Sequence, residues 1–338
     1  MTSLDLTTAP GRPPVARLTC SVEELAEHRP AVDRAVAEHG AVLLRGLALP
    51  DEAAAAAAAS AVTSRLMAEY EPFAPRTELR PGLYSSTEWP PDQPMCMHHE
   101  LSYARTVPSR MVFACLTAPA EGGAVALADG AAVLRDLPAA LVARFERHGW
   151  ELRRSHNGPV GVDWQTAFGT TSRAELERYC AANGIGLRWG ANGVLRTSRV
   201  RPAVLRHPGT GERVWFNQIA FLNEWTTDPA VRDYLEFEFG PDGLPFNTLC
   251  GDGGSLGRAE VDLINEVYEA HTVREPWCSG DVLVVDNLRT AHSRDPYQGE
   301  RRIAVALADP WTVGADADAD AGPGADAGPG PATGVSRS

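Results

Sequence analysis

Met97-His98-His99-Glu100-Leu101-Ser102-Tyr103 and, far downstream, Asp286-Asn287-Leu288-Arg289-Thr290-Ala291-His292 are the stretches whose joint reading decides the fold. Side chains two apart on an extended segment share a face. His98 and Glu100 can therefore converge on one metal ion, while His99 points away. Two imidazoles and one carboxylate on one face of an octahedron, the other face open, suit non-haem Fe(II). His98 and His292 stand 194 positions apart. Only a fold that returns its last strands beside its early ones can unite them, and jelly rolls do this.

Composition narrows the field around that reading. A length of 338 residues would allow two domains, yet single barrels and sandwiches also reach this size. With 44% hydrophobic and 22% charged residues the chain has ample material for a core. Net charge is −13 with no basic run, which argues against nucleic-acid and anionic-membrane partners. No apolar stretch reaches the roughly 18 residues of a membrane span, and the N-terminus lacks a basic segment leading into an apolar one. The expectation is a cytoplasmic protein. Six scattered cysteines with no Cys-x-x-Cys pair indicate free, mostly buried thiols rather than a disulfide frame or zinc ribbon. Cys96 alone lies near the histidines, where a small buried hydrophobe is the simpler reading. All 31 basic residues are arginine. Without lysine there is no Schiff-base chemistry of the pyridoxal-phosphate kind and no P-loop lysine.

Along the chain, residues 1–16 read as a loose arm. Ser21 and Glu24 form a capping-box pattern that starts a helix to about His28, and a second helix, Ala31–His39, stops at Gly40. Ala41–Gly46 reads as a short buried strand, and Asp51 to about Tyr70 as one long helix led by two acids. Strands follow from about Gly82, including Met111–Leu116 and, after the Gly122-Gly123 break, Ala124–Leu127. Asp129–Phe145 returns to helix with a restart at Leu137-Pro138. Asp163–Trp189 mixes loop and a helix over Ser172–Asn183. Val204–His207 and Val214–Asn217 suggest a hairpin. Ala259–Ala270 is helical, and Asp281–Val285 and Arg302–Leu307 are closing strands. The Gly/Ala/Asp/Pro repeat over 314–338 cannot bury enough apolar surface to fold and reads as disordered. One α+β domain, residues 17–313, built on an antiparallel core is therefore expected.

His-x-Glu is a weak motif alone, as is Asp-Asn followed by histidine. Their combination with Arg301-Arg302 on the next strand is stronger. A buried arginine there can hold a carboxylate through two parallel hydrogen bonds. A 2-oxoglutarate cosubstrate offers its distal carboxylate for that grip while its oxo-acid end chelates iron, leaving one position for O₂.

These stretches resemble the taurine dioxygenase (TauD/TfdA) family of Fe(II)/2-oxoglutarate oxygenases, most nearly the SyrP-like branch around the syringomycin-pathway amino-acid hydroxylase. The resemblance rests on Ser86-Thr87-Glu88-Trp89-Pro90, Met97–Tyr103, Glu121-Gly122-Gly123, Trp215-Phe216-Asn217-Gln218 and Gly280–Arg302, with support from Gly40–Gly46. It covers about residues 35–310. It implies a double-stranded β-helix, the jelly-roll core with flanking helices, and iron ligands His98, Glu100 and His292. It also implies Arg302 gripping 2-oxoglutarate, with Arg301 as the register alternative. Two positions depart from the pattern. Many relatives carry a threonine two residues after the Gly-Gly pair to help bind the 2-oxoglutarate carboxylate, and Val125 stands there. Taurine-type enzymes place an arginine four residues after the 2-oxoglutarate arginine to hold the substrate anion, and counted from Arg302 that position is Ala306. A sulfonate substrate is therefore disfavoured. Halogenases related to the family lack the carboxylate ligand, so Glu100 favours hydroxylation, with desaturation or cyclisation as alternatives from the same chemistry.

The leading reading is an oxygenase that hydroxylates an unactivated C–H bond of an amino-acid-like substrate, free or carrier-tethered, in natural-product biosynthesis. Its cofactors would be Fe(II), with 2-oxoglutarate and O₂ as cosubstrates. A carrier protein and a homo-oligomer are left open as partners. A zinc hydrolase could use the same three ligands but lacks an evident general base and leaves the arginine pair without a task. A regulator that binds metal without turnover would not need the whole set. For the remaining polar residues, His99 reads as packing or a contact behind the ligands, and Arg294 with Asp295 as a local ion pair, with substrate contact as the alternative. Asn217 and Gln218 read as the end of a strand, with a donor role behind the ligands as the lesser alternative. His156 and His207 read as turn or surface residues. Trp150, Trp164, Trp189, Trp215 and Trp277 read as core anchors.

Overall fold

The computed structural model describes residues 3–156, 161–190, 193–240 and 243–314. Two sheets face each other. The larger has nine strands. In spatial order it runs Leu6–Thr7, Val15–Arg17, Ala41–Arg45, Val282–Asp286, Thr106–Thr117, Arg302–Thr312, Leu83–Ser85 and Glu78–Arg80, with Leu66–Met67 also paired to Arg302–Thr312. The smaller runs Thr272–Val273, Val125–Asp129, Thr290–Arg294, Met95–His98. Late strands thus lie between early ones in both sheets, as the distant histidines require. This is the jelly-roll core of a double-stranded β-helix.

Alternation along the strands divides the interior in two. Leu43, Phe113, Leu283, Ile303 and Val305 face the smaller sheet and meet Val125 and Leu127. Their neighbours Leu44, Ala114, Val284, Ala304 and Ala306 face the helices Leu25–His39 and Glu52–Ala61. Because both faces are covered, Val282–Val285 and Ala41–Leu44 are continuous apolar runs rather than alternating ones. The alanines Ala55, Ala58 and Ala59 let the second helix lie close on the sheet. A third sheet, ordered Gly186–Trp189, Leu195–Arg201, Trp150–His156, Phe246–Cys250, flanks the roll.

Several sequence expectations are corrected. Residues 6–17 are not a loose arm: Leu6–Thr7 pairs with Val15–Ala16, which adds in parallel to Leu43–Arg45. Both capping-box hydrogen bonds between Ser21 and Glu24 form, but the helix starts only at Leu25 and runs unbroken to His39 through Pro30. One missing N–H did not end it. The helix after Asp51 stops at Ala61, because Leu66–Met67 is drawn into the larger sheet against Leu307–Ala308. The expected disorder beyond Gly314 lies outside the described residues. Leu137-Pro138 does divide Gly130–Asp136 from Ala139–His148, and the Val204–Arg206/Arg213–Trp215 hairpin forms.

Candidate metal centre and cosubstrate pocket

Met95–His98 is the edge strand of the smaller sheet, and His98 lies directly opposite His292 on Thr290–Arg294. Their ring centroids are 4.4 Å apart. The strand ends at His98, and the turn that follows, with Leu101 at φ 54°, brings Glu100 back toward both rings. Asn287 holds that turn. Its Oδ1 accepts from the Glu100 N–H at 2.7 Å, and its Nδ2 donates to the carbonyls of Glu100 (3.0 Å) and Pro108 (2.8 Å). Asn287 of the downstream motif is thus a clamp on the upstream one.

The Nε2 atoms of His98 and His292 each lie 3.6 Å from Glu100 Oε2. One donor atom from each of the three buried residues falls within 4.8 Å of the others. His98 Nδ1 is 2.9 Å from the Cys96 carbonyl. That contact assigns the Nδ1 proton, so the Nε2 lone pair faces Glu100 and His292. Phe221 stacks on the His98 ring at 4.5 Å, while Phe73 meets it edge-on.

Glu100 is fully enclosed, which alone would push its carboxyl upward. Arg76 and the two histidines outweigh that and hold it well below the usual range. Arg76 Nη2 lies 3.3 Å from both carboxylate oxygens, its Nη1 lies 3.1 Å from Glu69, and its Nε donates to Thr87 Oγ1 at 2.8 Å. Burial pushes His292 down to about 4, keeping it a neutral imidazole. The Arg76 loop is itself anchored from the third sheet. Arg199 and Tyr179 engage the Glu71 carboxylate, and Arg154 and Tyr103 donate to its carbonyl.

A cavity beside the histidines is lined by Thr87, Val125, Arg294, Arg301, Ile303 and Val305, among others. The structure corrects the arginine register. Arg301 points inward and Arg302 does not. The Arg302 side chain is 49% exposed and pairs with Glu52 at the start of the second helix. Arg301 Nε donates to the Gly123 carbonyl at 3.0 Å, and no carboxylate pairs with it among the described residues. Burial, with Arg294 nearby, pushes its guanidinium down to about 10. The same shift moves the position four residues on from Ala306, which faces the helices, to Val305, which lines the cavity. Neither carries a charge.

Other expectations are refined. His99 points away as expected, with Nδ1 2.7 Å from the Asn287 carbonyl and its ring on Phe216, and burial pushes it down to about 4. Arg294 does not pair with Asp295, which goes to Arg274. Instead it donates to the carbonyls of Trp89, Pro90 and Gln93, fixing that loop near the cavity. Gln218 Nε2 donates to the His99 carbonyl, and the Asn217 carbonyl accepts from the His99 N–H, so both brace the ligand segment through its main chain. His156 and His207 are buried rather than at the surface. His156 bonds the Val162 carbonyl, and His207 bonds Asp286. Arg76, Phe73 and Phe221 carry no motif that singles them out for these positions, and Thr87 falls within the Ser86–Pro90 stretch without a role attached to it.

The sequence matches the model of the taurine catabolism dioxygenase TauD/TfdA family over residues 5–307. It is 32% identical over 305 residues to the dapdiamide synthesis protein DdaC of Enterobacter agglomerans, covering 89% of this chain and 92% of that protein. It is 29% identical over 244 residues to a clavaminate synthase-like protein of Arabidopsis thaliana, covering 69% and 71%. Among solved structures, an alpha-ketoglutarate-dependent taurine dioxygenase from Burkholderia xenovorans superposes with a TM-score of 0.53 at 17% identity, covering 92% and 91%. PvcB of Pseudomonas aeruginosa does so at 0.51 and 16%, covering 88% and 86%. At those identities the structural likeness speaks to the fold. Among the described residues no helix is long and apolar enough to cross a membrane. The chain belongs to the TauD/TfdA family of Fe(II)- and 2-oxoglutarate-dependent dioxygenases.

Proposed function

We propose that this dioxygenase hydroxylates an unactivated C–H bond of a small amino-acid-like molecule in natural-product biosynthesis. In this reading His98, Glu100 and His292 hold the iron and Arg301 grips the distal carboxylate of 2-oxoglutarate. The observation that carries it is the convergence of two buried imidazoles on an ionised carboxylate, with both imidazoles lining the same cavity as a guanidinium that no protein carboxylate pairs with among the described residues. The donor set fits Fe(II), and the guanidinium fits an anionic cosubstrate. Together the bound iron and 2-oxoglutarate supply an O₂-derived oxidant, with succinate and CO₂ as coproducts.

The protein's part is placement. Asn287 fixes the turn that presents Glu100, Cys96 sets the His98 tautomer, and Arg76 keeps Glu100 ionised and aimed. Phe73, Phe113 and Phe221 wall the histidines with apolar rings that limit water at the centre. Glu100 occupies the place a halide would need, which supports hydroxylation over chlorination. Val305 offers nothing to a sulfonate. The DdaC relative, named for dapdiamide synthesis, supports a biosynthetic setting, and the resemblance to the amino-acid hydroxylase branch supports an amino-acid-like substrate.

The test is a screen of succinate formation above the uncoupled background, with free amino acids, carrier-loaded amino acids and taurine side by side and chloride present. Substrate-dependent turnover with an amino-acid member and a hydroxylated product is expected. Turnover on taurine alone, or any chlorinated product, would overturn the reading. The ligand assignment is checked separately by anaerobic absorption. The charge-transfer band of Fe(II) with 2-oxoglutarate should be present in wild type and lost in His98→Ala and His292→Ala.

A further inference from the structure

We infer that Thr87 supplies the hydroxyl donor to the 2-oxoglutarate carboxylate that Val125 cannot supply. This rests on the cosubstrate site proposed above. A carboxylate carries about four lone-pair sites. Arg301 spends its Nε on the Gly123 carbonyl, so only its two Nη groups remain to address the ligand. Val125, on the opposite sheet, has the branched shape of threonine without a donor, and it lines the same cavity.

Thr87 meets the requirement from the other side. Thr87 lines the cavity and is 8% exposed. The neighbouring Ser86 N–H donates to the Ile303 carbonyl at 3.1 Å, which holds this segment against the strand leading from Arg301. The Thr87 hydroxyl accepts from Arg76 Nε at 2.8 Å, so one acceptor site is filled by a cation and the oxygen keeps its own proton. Among the described residues no protein acceptor takes that proton. A hydroxyl polarised by a guanidinium is a stronger donor than a free one. Ser293 also borders the cavity but stands between His292 and Arg294, whose side chains occupy the inward face of that strand. Ser86 is the remaining competitor and serves as the comparison.

The arrangement also links two sites. Arg76 touches Thr87 through Nε and Glu100 through Nη2, so a purely structural Thr87 would act on the iron ligand rather than on the cosubstrate. That difference is measurable with the full-length protein under anaerobic conditions. Fe(II) affinity is read by chelator competition without 2-oxoglutarate, and 2-oxoglutarate affinity by titrating the charge-transfer band at saturating Fe(II). Thr87→Val is expected to weaken 2-oxoglutarate binding about 10- to 100-fold, the scale of one hydrogen bond to a charged group, with Fe(II) affinity within about twofold of wild type. Thr87→Ser should restore binding. Adding Val125→Thr to Thr87→Val should restore it too, by putting the hydroxyl back on the other wall. Unchanged 2-oxoglutarate affinity in Thr87→Val would overturn the assignment. So would parallel losses of both affinities, or a loss carried by Ser86→Ala instead. If Thr87→Val does not fold, Thr87→Ala decides by the same two titrations: about a 10-fold or greater loss of 2-oxoglutarate affinity with Fe(II) affinity kept is expected, and unchanged 2-oxoglutarate affinity would overturn the assignment. Absence of the band in wild type would instead overturn the cosubstrate reading itself.

Discussion

Replacing Arg301 and Arg302 separately by glutamine separates two guanidinium groups that are adjacent in sequence and opposite in environment. Arg301 is partly buried and lines the cavity beside the histidines without a protein counter-charge among the described residues, whereas Arg302 is half exposed and paired with Glu52. Truncating one partner of a buried charge pair costs about 2–5 kcal/mol, at about 1.4 kcal/mol per factor of ten. Arg301→Gln should therefore weaken 2-oxoglutarate binding by about 30-fold to a few thousandfold. An exposed pair is worth about 0–1 kcal/mol, so Arg302→Gln should cost little stability and leave 2-oxoglutarate affinity within about twofold. The cosubstrate-free protein adds a second signature. Burial pushes Arg301 down to about 10, so it stays charged at neutral pH but carries that charge at a cost relative to the unfolded chain. Removing that charge should hold or raise the melting temperature of the cosubstrate-free protein, while abolishing the upward shift that 2-oxoglutarate gives wild type by binding the native state. The assay is a thermal melt with and without 2-oxoglutarate under anaerobic Fe(II), alongside the band titration. A larger binding loss in Arg302→Gln, or equal losses, would refute the inward assignment of Arg301.

Gly123 has φ +68°, and a Cβ there would lie 3.1 Å from Arg301 Cδ and 2.9 Å from both Pro119 Cγ and Tyr297 Cβ; Gly123→Ala should lower the melting temperature and weaken 2-oxoglutarate binding, and an unaffected binding constant would count against the Gly123–Arg301 contact. Arg76→Met strands the Glu69 and Glu100 carboxylates in a buried site; an unfolding penalty of about 3–5 kcal/mol is expected, with Fe(II) affinity falling alongside it, as read by denaturant melts and chelator competition. Asn287→Ala leaves the Glu100 N–H and two carbonyls without their partner and should cost about 1–3 kcal/mol per stranded group while loosening the Glu100 turn; normal Fe(II) affinity in a folded Asn287→Ala protein would contradict the clamp role.

Much of this architecture was legible because period and spacing carry it. The buried runs Ala41–Leu44 and Val282–Val285 read as strands, and they are neighbours in the larger sheet. The need to unite His98 with His292 pointed to a roll, and the two are cross-strand partners. The third sheet was not legible. The inward faces of Trp150–His156 and Leu195–Arg201 mix apolar residues with charged ones, because Trp150, Leu152 and Leu195 pack inside while Arg154 and Arg199 are spent there on Glu71. A buried arginine looks like a solvated one until its partner is known. The helix expected to reach Tyr70 failed for a related reason. Local propensity favoured continuation, but the closing strand captured Leu66–Met67, and tertiary pairing outweighed it.

The arginine register shows where local reading reaches its limit. Side chains alternate along a strand, so one residue of slip exchanges the cavity face for the helix face. Around Arg301-Arg302 nothing local fixes the phase, since Ile303, Ala304, Val305 and Ala306 are all apolar and all buried. The phase comes from long-range packing. Leu83, Ala304 and Ala306 lie in the helix-facing cluster, and Ile303, Val305 and Leu307 lie in the cavity-facing one. Size is the residual clue: the helix-facing positions are alanine, which close helix approach demands, and the cavity-facing ones are branched. Extending that alternation back by one step puts Arg301 on the branched side and Arg302 on the alanine side, beside Glu52. The size of the neighbours two positions away, rather than their hydrophobicity, is what assigns an arginine in such a strand to a ligand or to solvent.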